Sequence, residues 1–299
     1  MKVLVVLVHY FSPEAQPRHS SVDGTRRADR KQAIERTIQG YRALFGPVAR
    51  ARYEQKLYAC EPASPVTVDL RLLTMDGCSL VEPDFLRRWD VQSERAAPED
   101  PRFLGYGVNP IFDRHCDDYD WFVYSEDDLL ISDPGFFDKL LWFNRSFGDT
   151  AVLSPNRTEI NPSHIPIKTY VDDALPAKVL SKVKNFCPGA DRLEGDFAGR
   201  RLAFERAANP HAGFHAISAA QLKLWMSQDY WRHQNSVFIS PLESAATLGL
   251  MRTFPVYKPT GTSASFLEVE HLDSRFSGHD WPRIEASRLG QGSGEEVVA

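Results

Sequence analysis

Three consecutive carboxylates, Glu126-Asp127-Asp128, close an apolar and aromatic run from Tyr119 to Ser125, and a second apolar run, Leu129-Leu130-Ile131, follows at once. Adjacent carboxylates repel one another, so a cation or a donor network must offset their charge. Hard oxygen donors of this kind suit Mg²⁺ or Mn²⁺, above all when a phosphate completes the shell. A solvated acidic turn is the competing reading, and the triplet alone leaves both open. The preceding run reads as a buried strand. The acids then sit at its carboxyl end, where open α/β sheets hold their ligands.

Other residues with chemical potential fall in comparable places. His9-Tyr10-Phe11 follows Val3–Val8, a Val-rich run that fits a central strand buried on both faces. These aromatics either stack on a base or cap the core. Asp76 lies just past the alternating strand candidate Pro65–Thr74 and is placed to meet a base or ribose. Gly105, Gly107 and Asn109 let backbone come close to a ligand at the start of a helix over 103–116. Ser154 to Glu159 forms a further polar tip after a short apolar run at 150–153. His211 and His215 are four apart, a zinc spacing on a helix, but Gly213 between them and the Ser218 cap that follows argue for a strand. Glu243 sits near the start of a helix over 241–251, where a carboxylate suits the helix dipole and plain capping explains it.

The elements that must position these residues are legible in outline. A helix is expected over 21–45 with Asp23 as N-cap; Ile34, Ile38, Tyr41 and Phe45 mark its buried face. Arg26, Arg27, Arg30, Lys31 and Arg36 mark its other face, either a solvated surface or a reach toward a pyrophosphate. Short strands are expected at 89–93, 211–217, 254–257 and 265–271. Asp133-Pro134 starts another helix and Ser218 caps one to about Gln228. The stretch 161–206 has weak periodicity and reads as loops and short elements shaping an acceptor pocket.

A chain of 299 residues with 42% hydrophobic and 25% charged residues has the composition of a globular α/β protein. Its net charge of −5 argues against a general nucleic-acid binder, which needs a basic surplus. The four cysteines form no C-x-x-C pair, so zinc-ribbon and thioredoxin readings lack support, and free thiols in a reducing cytoplasm are expected. No signal peptide or membrane span is expected; a peripheral membrane contact stays open.

An order of strand–helix units leading to an acidic strand end, then a less regular half, resembles the GT-A family of nucleotide-sugar glycosyltransferases. Their signature is a D-x-D-type motif at a strand end; here the match is Glu126-Asp127-Asp128, an E-x-D variant, with Gly105, Gly107 and Asn109 upstream as in many members. Glu replaces the first Asp, and Asp127-Asp128 could be the pair instead. The resemblance covers residues 2–275. It implies an α/β fold, a Rossmann-type, mostly parallel sheet flanked by helices. It divides a single domain of 1–275 into a nucleotide-binding half (1–155) and an acceptor half (156–275), with a partly disordered tail at 276–299. By the same resemblance, Glu126, Asp128 and His271 hold Mn²⁺ or Mg²⁺ on the donor diphosphate. His9, Tyr10, Phe11, Asp76, Asn109, Ser125 and Asp127 contact the nucleotide-sugar, and Glu243 is the base. The implied activity is sugar transfer from a nucleoside-diphosphate sugar to a hydroxyl of a glycan or small molecule, as in bacterial surface glycan synthesis. A sugar-phosphate nucleotidyltransferase and a non-catalytic binding module with the same fold are the alternatives.

Overall fold

The computed structural model describes residues 1–13, 23–51, 56–60, 62, 64–162, 167–172, 174–181, 187–273 and 276–277. The chain opens with β1 (Lys2–Val8) and, after a 3-10 turn at Gly24–Arg26 capped by Asp23, α1 (Arg27–Phe45). A hairpin of β2 (Val48–Ala51) and β3 (Leu57–Cys60) follows, then β4 (Thr67–Thr74), α2 (Pro83–Arg88) and β5 (Val91–Arg95). After a 3-10 turn at Pro101–Gly107 come α3 (Val108–Arg114), β6 (Trp121–Glu126), β7 (Leu129–Leu130), α4 (Phe136–Phe147) and β8 (Val152–Leu153). The second half adds β9 (Asn156–Ile160), β10 (Lys168–Tyr170), α5 (Ala177–Leu180), β11 (Arg192–Phe197), β12 (Arg200–Arg206) and β13 (Phe214–Ser218). It ends with α6 (Ala219–Met226), α7 (Pro241–Thr253), β14 (Val256–Pro259) and β15 (Glu268–His271).

The central sheet runs in the order β13-β6-β1-β4-β5; β6, β1, β4 and β5 are parallel, and β13 is antiparallel on the edge of β6. β1 lies inside it, and the Val/Leu content of Val3–Leu7 matches burial on both faces. Val3, Val5 and Leu7 pack with Ile34, Ile38 and Tyr41 of α1 and with the Phe136, Phe137 and Leu140 side of α4. Leu4 and Val6 pack with α3, α6 and α7 through Ile111, Phe112, Leu222 and Met251. The expected α/β class and mostly parallel sheet are therefore present as a helix–sheet–helix sandwich. Among the described residues, no helix is long and apolar enough to cross a membrane.

Two smaller sheets, β10-β9-β15-β7 and β11-β12-β14-β8, complete the fold, the first joined to the end of β6 through β7. They account for two departures from the sequence reading. The polar tip at 154–159 is largely strand β9, whose Arg157, Thr158 and Glu159 are buried. The irregular stretch at 161–206 contains the paired hairpin β11–β12. Pro110 lies in the first turn of α3, where its missing N–H breaks no bond. The start of the expected first helix at 21–22 and the tail from 278 fall outside the described residues.

Candidate active site

The chain leaves β1 for β4 on one side and later enters β6 on the other, so the sheet order reverses between β1 and β6. Val8 lies opposite Glu126, and the loops after both strands emerge side by side. This is the switch-point crevice where open α/β sheets bind ligands. β6 ends at Glu126, and Asp127 and Asp128 form the turn that leads into β7.

Asp127 turns toward α1. It pairs with the Arg30 guanidinium, which also grips Asp128 through its other nitrogen. The His9 Nε2 accepts the Leu80 amide at 2.9 Å, so the ring proton sits on Nδ1 and is donated to Asp127 at 2.5 Å. Burial raises the Asp128 carboxyl, but Arg30 and His271 outweigh it and hold Asp128 well below the usual carboxylate range. The donor network expected to offset the triplet's repulsion is thus built into the protein.

His271 reaches Asp128 because β15 pairs with β7, with His271 opposite Leu129. Its Nε2 is 3.6 Å from Asp128 Oδ2 and its Nδ1 is 2.8 Å from Glu159 Oε1. Burial would lower its pKa, but bonding to Asp128 and Glu159 pushes it up to about 10. Glu159 is fully buried and also accepts the amides of Phe276 and Ser277.

Glu126 turns the other way, over Gly213, whose φ is +61°. A Cβ at that glycine would come within 2.7 Å of the Glu126 carboxyl carbon. The Glu126 side chain is about a third exposed, and its Oε1 is 4.0 Å from His211 Nε2. Burial, with neighbouring Asp128 next, pushes the Glu126 carboxyl up to about 7, against the pull of Arg157 and His271. Arg157 donates from Nε to Asp172 at 2.7 Å, and Lys258 reaches the same carboxylate at 2.6 Å. Glu243 is the third residue of α7, within electrostatic reach of Glu126, and it accepts from the Ser240 hydroxyl at the helix cap.

The structure therefore gathers Glu126, Asp128, His271 and Glu243 around one edge. It corrects several expected nucleotide contacts. His9, Phe11, Ser125 and Asp127 are between 0% and 3% exposed, packed into the protein instead of opening onto the crevice. Phe11 lies under Arg27, and Ser125 donates to the Glu126 carbonyl. Asn109 is buried and donates to the Trp231 carbonyl. Asp76 stands on an exposed turn and pairs with Arg95 at 3.1 Å. Tyr10 remains half-buried beside the strand end.

Sequence reading set Arg30 on the outer face of its helix and Arg157 and Glu159 in a polar tip, and it passed over Asp172 and Lys258. Arg30 carried a signal: it is four residues before Ile34 and eight before Ile38, a cation on the buried stripe of α1. Asp172 and Lys258 carried none, since strands distant in sequence bring them together.

As ligands for a divalent cation the acids fit in part. Among the described residues, no three His, Cys, Asp or Glu side chains gather to hold a metal ion by themselves. His271, expected as a ligand, has both ring nitrogens directed at carboxylates. Asp128 Oδ1, however, is buried without a hydrogen-bond partner, and the partly open Glu126 lies beside it. Two carboxylates completed by substrate phosphates suit Mg²⁺, which seldom occupies all-protein cages.

No family model and no curated protein matches the sequence. Among solved structures, similar chains include one described as CMP:2-keto-3-deoxy-manno-octonic acid synthetase complexed with CTP. It has 11% identity and a TM-score of 0.33, covering 76% of this chain and 78% of that one. Another is described as mannose-1-phosphate geranyltransferase from Thermus thermophilus, with 9% identity and a TM-score of 0.38, covering 90% and 74%. Overlap at this level carries no argument about activity.

Proposed function

We propose that this chain is a transferase that makes or uses a nucleotide-linked sugar at the carboxyl edge of β1 and β6. The observation that supports it is the pair Glu126 and Asp128 at the switch point: one carboxylate partly open, the other held ionised with a free oxygen. In this reading Glu126 and Asp128 hold Mg²⁺ or Mn²⁺ together with the ligand's phosphates. The cation, when bound, offsets charge on the phosphate leaving group. Arg30 and His271 keep Asp128 charged and oriented, and Arg157 adds positive charge beside Glu126.

Two chemistries share such a site. In glycosyl transfer an acceptor oxygen attacks the anomeric carbon, the C–O bond to the diphosphate breaks, and a base takes the acceptor proton; Glu243 is the expected base. In nucleotidyl transfer a sugar-phosphate oxygen attacks the α-phosphorus of a nucleoside triphosphate, and pyrophosphate leaves. Glu243 already accepts from Ser240 as part of the α7 cap, which favours the second chemistry, because an ionised phosphate nucleophile needs no base.

Purified protein with Mg²⁺ or Mn²⁺ would be offered nucleoside-diphosphate sugars, and separately nucleoside triphosphates with sugar 1-phosphates. Diphosphate release in the first set indicates sugar transfer; pyrophosphate release in the second indicates nucleotidyl transfer. Asp128→Asn should lower either activity by about a hundredfold or more. Full activity in that variant, or no turnover and no nucleotide binding in the native protein, overturns the proposal.

A further inference from the structure

A narrow cleft between the 3-10 turn at 101–107, α6 and α7 takes no part in the chemistry above. Its walls include Tyr106, Asn109, Trp225, Tyr230, Trp231 and Arg252, its interior has room for one small group, and no Asp or Glu lines it. Trp225 and Trp231 are 3% and 7% exposed, and neither indole N–H has a hydrogen-bond partner. Trp225 Nε1 faces Gly249, where an added Cβ would lie 2.8 Å from it. The Arg252 Nε is likewise buried and unpartnered, and its guanidinium lies 3.7 Å above the Tyr230 ring. Among the described residues no carboxylate pairs with Arg252.

Buried donors left unpaired are costly, and folded proteins meet them with protein acceptors, water or a ligand. Here two unpartnered indole donors and a guanidinium line one space that carries a full positive charge and no acid. The complement is a small planar anion with two acceptor oxygens, with an apolar body that lies against aromatic rings. Asn109, bonded to the Trp231 carbonyl at 3.0 Å, holds the backbone of one donor in place.

We propose that this cleft binds the carboxylate of a small organic acid, with Arg252 and the two indole N–H groups as its donors. The carboxylate belongs either to a free organic acid or to an acidic sugar that serves as substrate. The intact protein would be titrated with acetate, glucuronate and inorganic phosphate, against chloride at equal ionic strength, by tryptophan fluorescence and calorimetry. Saturable acetate binding, weakened about tenfold or more in Arg252→Gln, is expected. Trp231→Phe should weaken it too, and melting curves of both variants establish that each is folded at the temperature of the titration. Tighter binding of glucuronate than acetate assigns the cleft to a substrate, and equal binding assigns it to a free acid. No saturable carboxylate binding, equal binding in Arg252→Gln, or phosphate binding as tight as acetate overturns the proposal. Each outcome is independent of metal and nucleotide binding at Asp128.

Discussion

At the residue scale, the acidic triplet is three side chains with three different environments. Asp127 is locked by His9 and Arg30, Asp128 is held ionised by Arg30 and His271, and Glu126 is left near neutral pH. Sequence could count the charges but not divide them, because the dividing groups come from α1, β9 and β15. His271 offers a direct test of this wiring. Its folded pKa of about 10 exceeds the ordinary histidine value of about 6.5, so the folded state gains by holding its proton. The gain is fully present below about pH 6.5 and is lost as pH rises through about 10. Native protein in chelator should therefore lose stability over that window, and His271→Asn, already less stable at pH 6, should lose much less. Denaturant midpoints across the window check this; parallel curves for the two proteins would refute the ion-pair role.

At the element scale, the parts that were legible carry strong local signals. The apolar run Val3–Val8 of β1, the Ile34/Ile38/Tyr41/Phe45 stripe of α1, and the Ser218 cap of α6 all appear as read; the Gln221 side chain that completes the cap as a capping box emerges from the structure. Strand β9 was unreadable because its inward residues are Arg157 and Glu159, which sequence patterning assigns to solvent. The hairpin β11–β12 was hidden by charged, largely exposed faces. His211–Ile217 was read as a strand, and its observed start at Phe214 reflects Gly213, which turns with positive φ just before β13. That glycine has a second use, because its missing side chain gives the Glu126 carboxylate its seat. Gly213→Ala should cost about 1–2 kcal/mol for the left-handed backbone alone. It should also push Glu126 out of place, so nucleotide turnover should fall more than the stability loss explains. A melting curve and a turnover assay on the same preparation test this, and native turnover in the variant would detach Glu126 from the chemistry.

At the scale of the whole molecule, the division into a nucleotide half and an acceptor half describes order along the chain but not packing. β13 comes from the second half, yet it completes the central sheet against β6. The core that surrounds Val3, Val5 and Leu7 also holds Phe204, Phe214, Tyr257 and Phe266, all beyond residue 155. On the other face, Leu4 and Val6 share a cluster with Trp225, Ala246 and Met251. Neither half can be exposed without stripping apolar surface from the other, at about 25 cal/mol for every Å² uncovered. The salt-bridge chain crosses the same boundary, since Arg30 and Asp128 meet His271 and Glu159. Unfolding should therefore be a single cooperative transition, with loss of helix signal and of tryptophan environment at the same denaturant concentration. Two separated transitions would mean that the halves hold independent cores. In that case the edge contact between β6 and β13 would be a docking surface between domains, and the switch-point site would open whenever they part.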